Sequence, residues 1–433
     1  MSQSAALGGG AITMRHRLIS IIGGSIGNLI EWYDFYIYNF FALYFAKSFF
    51  PGEDPTVQLL NTFGIYALGF LIRPVGGWLF GVYADRAGRR AALTVSVTLM
   101  CLGSLMIAAT PTFASIGIAA PVVLLLARLV QGVSLGGEYG TSATYLSEIA
   151  LAKHRGFFSS FQYVTLIGGQ VLGSLTLIVM QLRFSAAELE AWGWRVPFAI
   201  CAACALFGLY LRRNLDETES FLKASRQKRG NLLVELMRHP RQVLLVFGLT
   251  MGGTTAFYTY TTYMPTFLVN TVKLTRGQAT QISFITLVFF ALIQPLYGAL
   301  SDRIGRRPVL MWFGIMGTLC TVPLLTALAA TRDYTTALLL IMAALLIVSG
   351  YTSINAVVKA ELFPAGVRAL GVGLPYAIAV SLFGGTAPYI ALWFKSQGVE
   401  SWFFIYVSAL CFGSLLVYAL MADTKRTSEI DRD

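Results

Sequence analysis

The chain has 433 residues, of which 56% are hydrophobic and only 12% charged, whereas soluble domains carry about 25% charge. So little charge cannot coat a water-soluble particle of this size. The composition therefore excludes a soluble enzyme, a disordered chain and a nucleic-acid-binding domain, and it indicates an integral membrane protein.

A membrane helix needs roughly 20 mainly apolar residues. Twelve such runs follow one another, centred near Asn28, Leu68, Leu102, Gln131, Gln170, Cys204, Gly253, Leu287, Gly317, Leu346, Leu382 and Leu410. The first carries Asn28, Glu31, Asp34 and Tyr38 on one polar stripe that must face other helices. The second holds Arg73 just before Pro74 and ends in GVYADRAGRR, which contains Asp85, Arg89 and Arg90. The fourth places Arg128, Gln131 and Glu138 in one sector, and Glu148 follows, seven residues before Arg155. In the fifth, Tyr163 and Gln170 share a face. The sixth contains Cys201 and Cys204; like the other three cysteines they lie in an apolar run, which suits small packing residues better than a disulfide or a metal site.

Residues 212–241 form the one long polar segment, with eight Lys/Arg and four Asp/Glu. Beyond it the eighth run ends in GALSDRIGRR, with Asp302, Arg306 and Arg307. The tenth ends with Lys359 and Glu361, and Glu361 precedes Arg368 by seven. The two DRxGRR loops are 217 residues apart and the two Glu–Arg pairs 213 apart, so a six-helix unit is duplicated. The expected fold is all-α and membrane-integral. It comprises an N-terminal six-helix bundle (1–211), a cytoplasmic central loop (212–241) and a C-terminal six-helix bundle with a short tail (242–433). Parallel repeats of this kind bind solute between them near the midplane.

With the amino terminus placed in the cytoplasm, segments on that side hold 22 Lys/Arg and the opposite segments 7. This bias sets both termini inside and explains the net charge of +11 without a nucleic-acid partner. No cleavable signal peptide is recognised around Arg15 and Arg17.

Ionisable groups at bilayer depth cost roughly 3 kcal/mol each, so each needs a reason. Glu31 and Asp34 are candidates to carry a proton, since clustered acids in a low dielectric raise each other's pKa; the alternative is a structural pair satisfied by Arg73. Arg128 can bind a carboxylate through its fork or serve a neighbouring acid such as Glu138. Arg73 can meet one carboxylate of a dianion. Lys359 is read as shallower: it either supplies a second carboxylate contact or snorkels to the cytoplasmic surface. Tyr163 and Gln170 are further candidate contacts, with Tyr258, Tyr260, Tyr263, Tyr351 and Tyr376 on the other side. Asp85, Arg89, Arg90, Glu148, Asp302, Arg306, Arg307 and Glu361 are read as gating residues that latch helix ends on the cytoplasmic face.

The sequence holds no GxxxxGK[ST] loop, no HExxH and no His/Cys metal spacing. The expectation is a protein that is not an enzyme, has no cofactor or metal, and draws its energy from a gradient.

The twice-present GxxxDRxGRR loop and Arg128-Leu-Val-Gln131-Gly132 resemble the signatures of the major facilitator superfamily. Asn28–Tyr36, Arg73-Pro74-Val-Gly76-Gly77 and Gly136–Gly140 are similar to its metabolite–proton symporter branch. Within that branch, Gly136–Glu148, Phe161–Gln170 and Lys359–Gly373 resemble members that carry 2-oxoglutarate. The resemblance implies a proton symporter of 2-oxoglutarate or a similar dicarboxylate, working by alternating access. The same machine with citrate, shikimate or proline/betaine is the alternative, and a non-transporting nutrient sensor is a more distant one. The resemblance also links Arg128 to proton transfer. The partners implied are a small organic anion, protons and the lipid bilayer. The setting implied is a bacterial inner membrane, crossed many times by a monomer.

Overall fold

The computed structural model describes residues 14–87, 89–136, 138–150, 152–212 and 232–432; within these, nothing is described of the side chains of residues 14–28, 30, 81–82, 84–93, 138, 141–142, 145, 149, 204–212 and 232. The expected sites Asp85, Arg89, Arg90 and Glu138 thus lie outside the described side chains.

The apolar runs fold as α1 (Met14–Phe49), α2 (Pro55–Leu71 and Arg73–Ala87), α3 (Arg89–Ala109), α4 (Ala119–Leu135 and Glu138–Ile149), α5 (Arg155–Arg183) and α6 (Arg195–Arg212). They continue as α7 (Pro240–Tyr258, a π-turn Thr259–Tyr263, and Met264–Asn270), α8 (Arg276–Ile304) and α9 (Arg306–Ala330). The last three are α10 (Tyr334–Thr352 and Asn355–Glu361), α11 (Arg368–Ala379, a π-turn Val380–Gly384, and Ala387–Ser396) and α12 (Ser401–Leu420). Among the described residues, eight helices (α2, α5 and α7–α12) are long and apolar enough to cross a bilayer, while α3 and α4 contribute the shorter apolar stretches Thr94–Ala109 and Ala119–Leu135.

The ends are set by local chemistry. Asp54 caps α2 by accepting from the Thr56 N–H at 2.7 Å, with Pro55 in the first turn, where its missing N–H costs nothing. Thr275 and Gln278 form a reciprocal capping box at α8, and Asp333 accepts from the Thr336 N–H at the start of α10. Gly305, at φ 100°, turns the chain from α8 directly into α9, a conformation that favours glycine.

Helices α1–α6 pack mainly on one another, α1 along α5, α6 along α3, and α2 and α3 along α4. Helices α7–α12 repeat the plan, with α7 and α9 along α12 and α10 along α8 and α9. The two sets meet along α5 and α8 and along α2 and α11. Most of the polar segment between them lies outside the described residues; its end forms a short helix, Leu232–Leu236.

Glycines bring α2 and α4 into backbone contact. A Cβ on Gly132 would lie 2.1 Å from the Gly69 carbonyl oxygen, and one on Gly136 would lie 2.1 Å from that of Arg73. This close approach places Arg73 and Arg128, on adjoining helices, in the same interior layer as α1.

Candidate functional site

α10 is interrupted in the interior at 353–354. Freed backbone is tolerated inside a membrane protein only where it lines a polar interior.

Asp34, on α1, is buried and accepts hydrogen bonds from the Ser104 hydroxyl on α3 and from Gln131 Nε2 on α4 at 2.9 Å. The Gln131 carbonyl oxygen in turn accepts from Arg128 Nη1 at 2.7 Å. Gln131, one helical turn from Arg128 on α4, therefore bridges that base to the acid on α1. Arg128 is fully buried. Its guanidinium carbon lies 4.3 Å from the Phe35 ring centroid and 4.4 Å from that of Tyr38, so ring faces replace water around part of the cation. Its Nε and Nη2 have no hydrogen-bond partner among the described residues.

Arg73 was expected either to meet an anion or to pair with Glu31 or Asp34. Among the described residues it makes no ion pair; it lies over Phe70 at 4.3 Å, Phe35 at 4.8 Å and Trp32 at 5.0 Å. Two of its nitrogens, Nε and Nη2, are buried and unpartnered. Glu31 is 3% exposed, and its Oε2 is likewise unpartnered. The two acids of the first helix thus have different surroundings: Asp34 is tied to α3 and α4, and Glu31 does not share those partners.

The snorkelling alternative for Lys359 is corrected: the side chain, on the second segment of α10, is fully buried among protein groups. Its Nζ lies 3.9 Å from the Tyr376 ring centroid and 5.5 and 5.9 Å from those of Tyr139 and Tyr351. It donates to Asn355 Oδ1 at 2.7 Å and meets no carboxylate among the described residues. Tyr139 and Tyr376, one from each half, stack at 3.6 Å and 14°.

Around these cations lie polar atoms that nothing in the described protein satisfies. They include the hydroxyls of Tyr36, Tyr66, Tyr258 and Tyr351 and the amide oxygen of Gln170. Buried polar groups are normally paired, so a cluster of exceptions calls for a physical reason. Tyr163 and Gln170 both face α7, Tyr163 edge-on to Phe257 and Gln170 donating to Thr261. Tyr258 packs on Phe70. Tyr260 and Tyr263 lie elsewhere: Tyr263 reaches Glu400, and Tyr260 lines a small crevice with Thr321.

The face bearing the repeated loops is closed by exchanged partners. Glu148 pairs with Arg368 at 2.5 Å, and Glu361 lies 3.8 Å from Arg155, so each acid meets the basic residue of the opposite repeat. Asp302 accepts from the Gly156 and Phe157 N–H groups at 2.8 and 2.9 Å, which caps α5 from the other half. Arg306 joins Asp302 at 2.8 Å and Glu361 at 3.4 Å. The C-terminal tail docks on the same cluster: Thr424 donates to Glu361, and Arg155 pairs with Asp431 at 2.7 Å. Arg307 turns to a helix of its own half. It donates to the Tyr418 and Ala419 carbonyls and thereby caps the end of α12.

The opposite face is joined by residues the sequence did not single out. Arg276 pairs with Glu190 at 2.5 Å, both more than a third exposed, and Gln181 donates to Thr280 and Tyr44. Ser104 and the ring cages were also missed; isolated serines and aromatics in apolar runs carry no signal. Asn355 did carry one, four residues before Lys359 on a helix. Among the described residues no cluster of His, Cys, Asp and Glu could hold a metal.

Family models match two parts of the chain: residues 21–231 match the sugar (and other) transporter family and residues 255–433 the Major Facilitator Superfamily. The chain is 51% identical to an alpha-ketoglutarate permease of Escherichia coli over 94% of both chains. It is 34% identical to a citrate–proton symporter of Salmonella typhi over 86% of both. A solved D-xylose–proton symporter shares the fold, with a TM-score of 0.74 at 19% identity over 96% of this chain and all of the other.

Proposed function

The chain belongs to the major facilitator superfamily, and from that premise we propose that it is a proton symporter of 2-oxoglutarate or a closely similar dicarboxylate, working by alternating access. One observation carries the reading. Each half contributes a buried cation, Arg73 and Lys359, held by aromatic faces and lacking an acidic partner among the described residues. Buried charges need a counter-charge, and a molecule with two carboxylates supplies one to each. Unpartnered tyrosine hydroxyls and Gln170 are donors and acceptors suited to its remaining oxygens. Similarity to a permease of that name supports the same solute.

The proton falls to the other unit. Asp34 is bridged to Arg128 through Gln131, so protonation of the carboxyl weakens the acceptor that Gln131 serves and frees the arginine electrostatically. Glu31, with an unpartnered oxygen, is the second candidate; Glu138 stays in this role by position alone. The gradient provides the energy, with no cofactor. We place the protein in a bacterial inner membrane as a monomer with both termini cytoplasmic. The two bundles, 1–211 and 242–433, then rock about the central site, and the Glu148, Asp302, Arg306 and Glu361 cluster forms the cytoplasmic gate, joined by the Asp85, Arg89 and Arg90 loop.

The test is uptake of radiolabelled solutes into proteoliposomes with an imposed pH gradient. Dicarboxylates should accumulate with the inward proton gradient, stop on addition of a protonophore, and outcompete citrate and betaine. Concentrative uptake driven by sodium instead, or uptake of betaine alone, would overturn it.

A further inference from the structure

Lys359 is anchored by a single acceptor, and that acceptor is shared. Asn355 Oδ1 receives Lys359 Nζ at 2.7 Å from its own helix and the Tyr139 hydroxyl at 2.8 Å from α4. The amide nitrogen of Asn355 is held by the Thr352 carbonyl at 3.0 Å, inside the break of α10, which fixes the orientation of the amide. Asn355 is completely buried. Its oxygen, with two lone pairs, is fully used by one donor from each half.

We infer that Asn355 is the positioning residue for the anion-binding ammonium of Lys359, and that the Tyr139 hydroxyl makes this positioning depend on the two halves being closed together. The inference rests on the reading of Lys359 as a substrate contact. Chemistry explains the amide. A carboxylate at position 355 would ion-pair with Lys359 permanently and compete with the solute, whereas an apolar residue would leave the ammonium without an anchor. A neutral acceptor fixes the geometry and leaves the charge for the ligand. The ammonium has three donors and spends one on Asn355. The bond from Tyr139 joins α4 to α10, so it forms when the halves meet around this cage and is lost when they separate there. Aromatic stacking of Tyr139 on Tyr376 keeps the cage in register but does not orient the amide. The anion is therefore gripped in the closed carrier and released when either side opens.

The experiment measures 2-oxoglutarate binding by calorimetry on the full chain in nanodiscs, with Tyr139→Phe, Asn355→Asp, Asn355→Ala and Lys359→Gln. Tyr139→Phe keeps the ring and should weaken binding about tenfold, the loss of one hydrogen bond in a charged network. Asn355→Asp should weaken it further, because the new carboxylate takes the ammonium that the solute needs. Asn355→Ala should be weak but less so than the nearly isosteric Asn355→Asp, an order that a merely structural role would not give. Wild-type affinity in both Tyr139→Phe and Asn355→Asp, with binding lost in Lys359→Gln, overturns the positioning role and leaves the anion site standing. Wild-type affinity in Lys359→Gln overturns the site itself. Should Asn355→Asp fail to fold, Tyr139→Phe decides alone.

Discussion

Asp302→Asn tests the gate most directly. The carboxylate accepts from two N–H groups in the first turn of α5 and from Arg306, and the helix belongs to the other half. The amide keeps one acceptor oxygen but turns an NH2 group toward a donor, so one of the two backbone bonds is lost. A hydrogen bond to a charged group contributes about 1.5–3 kcal/mol, and the lost charge at a helix start about 0.3–1 kcal/mol more. Arg306 retains Ser301 and Glu361, so the cost on its side is small. Because the bonds cross between halves, the whole loss, about 2–4 kcal/mol, falls on the state closed at this face. That is a shift of about 30- to 850-fold toward opening there. The assay is the spin-label distance between Lys153→Cys and Arg303→Cys, both exposed, in nanodiscs on a background with the native cysteines replaced. The long-distance population should rise, transport should slow, and 2-oxoglutarate binding should stay within about threefold. An unchanged distance distribution, or binding lost in proportion to transport, refutes the reasoning.

Arg73→Lys keeps the charge but loses the planar fork; binding measured by calorimetry should weaken about tenfold in protein with a normal size-exclusion profile. Arg128→Lys cannot hold Gln131 in the same geometry, so uptake should lose its response to an imposed pH gradient while counterflow exchange persists. Gly132→Ala would force a Cβ against the Gly69 carbonyl oxygen; with backbone as the obstacle it should destabilise by about 1–3 kcal/mol or more, seen as a lower melting temperature. The tail supplies a pH prediction: hydrogen bonding to Arg155 holds the Asp431 carboxyl below its ordinary value of 3.8. The stabilisation is complete above that ordinary value and disappears as pH falls through the lower folded one. Protease resistance of the tail should therefore be flat from pH 8 to 5 and decline only below about 4.

The twelve helices and their duplication were legible because both follow from composition and spacing: apolar length marks a span, and a repeated loop marks a repeat. The charges at membrane depth were legible for a related reason, since Arg73, Arg128, Glu31 and Asp34 interrupt runs in which such residues are costly. Partnership was not. Nothing in the order of residues says that Gln131 stands between Arg128 and Asp34, or that Arg73 rests on rings. Burial at Lys359 was not legible, because the order of residues does not say that Tyr139, Tyr351 and Tyr376 close around it. The paired landmarks Glu148/Arg155 and Glu361/Arg368 were visible as a repeat, but their exchange of partners across the two halves required the packed structure.

The two faces of the closed carrier are built from unequal materials. The face bearing the repeated loops is closed around a buried centre, Asp302, Arg306, Glu361 and Arg155, each at most 6% exposed, with the more open Glu148 and Asp431 at its rim, whereas the opposite face includes an ion pair whose members are 36% and 39% exposed. Exposed pairs contribute about 0–1 kcal/mol and are screened by salt; separating a buried pair leaves charges stranded and costs several times more. The face held by the exposed pair is therefore the cheaper one to part, and more so in concentrated salt, while parting the face of the repeated loops costs more. On the orientation proposed above, such a carrier parts first toward its surroundings and last toward the cell, so leakage of the cell's own pool is resisted without any added component.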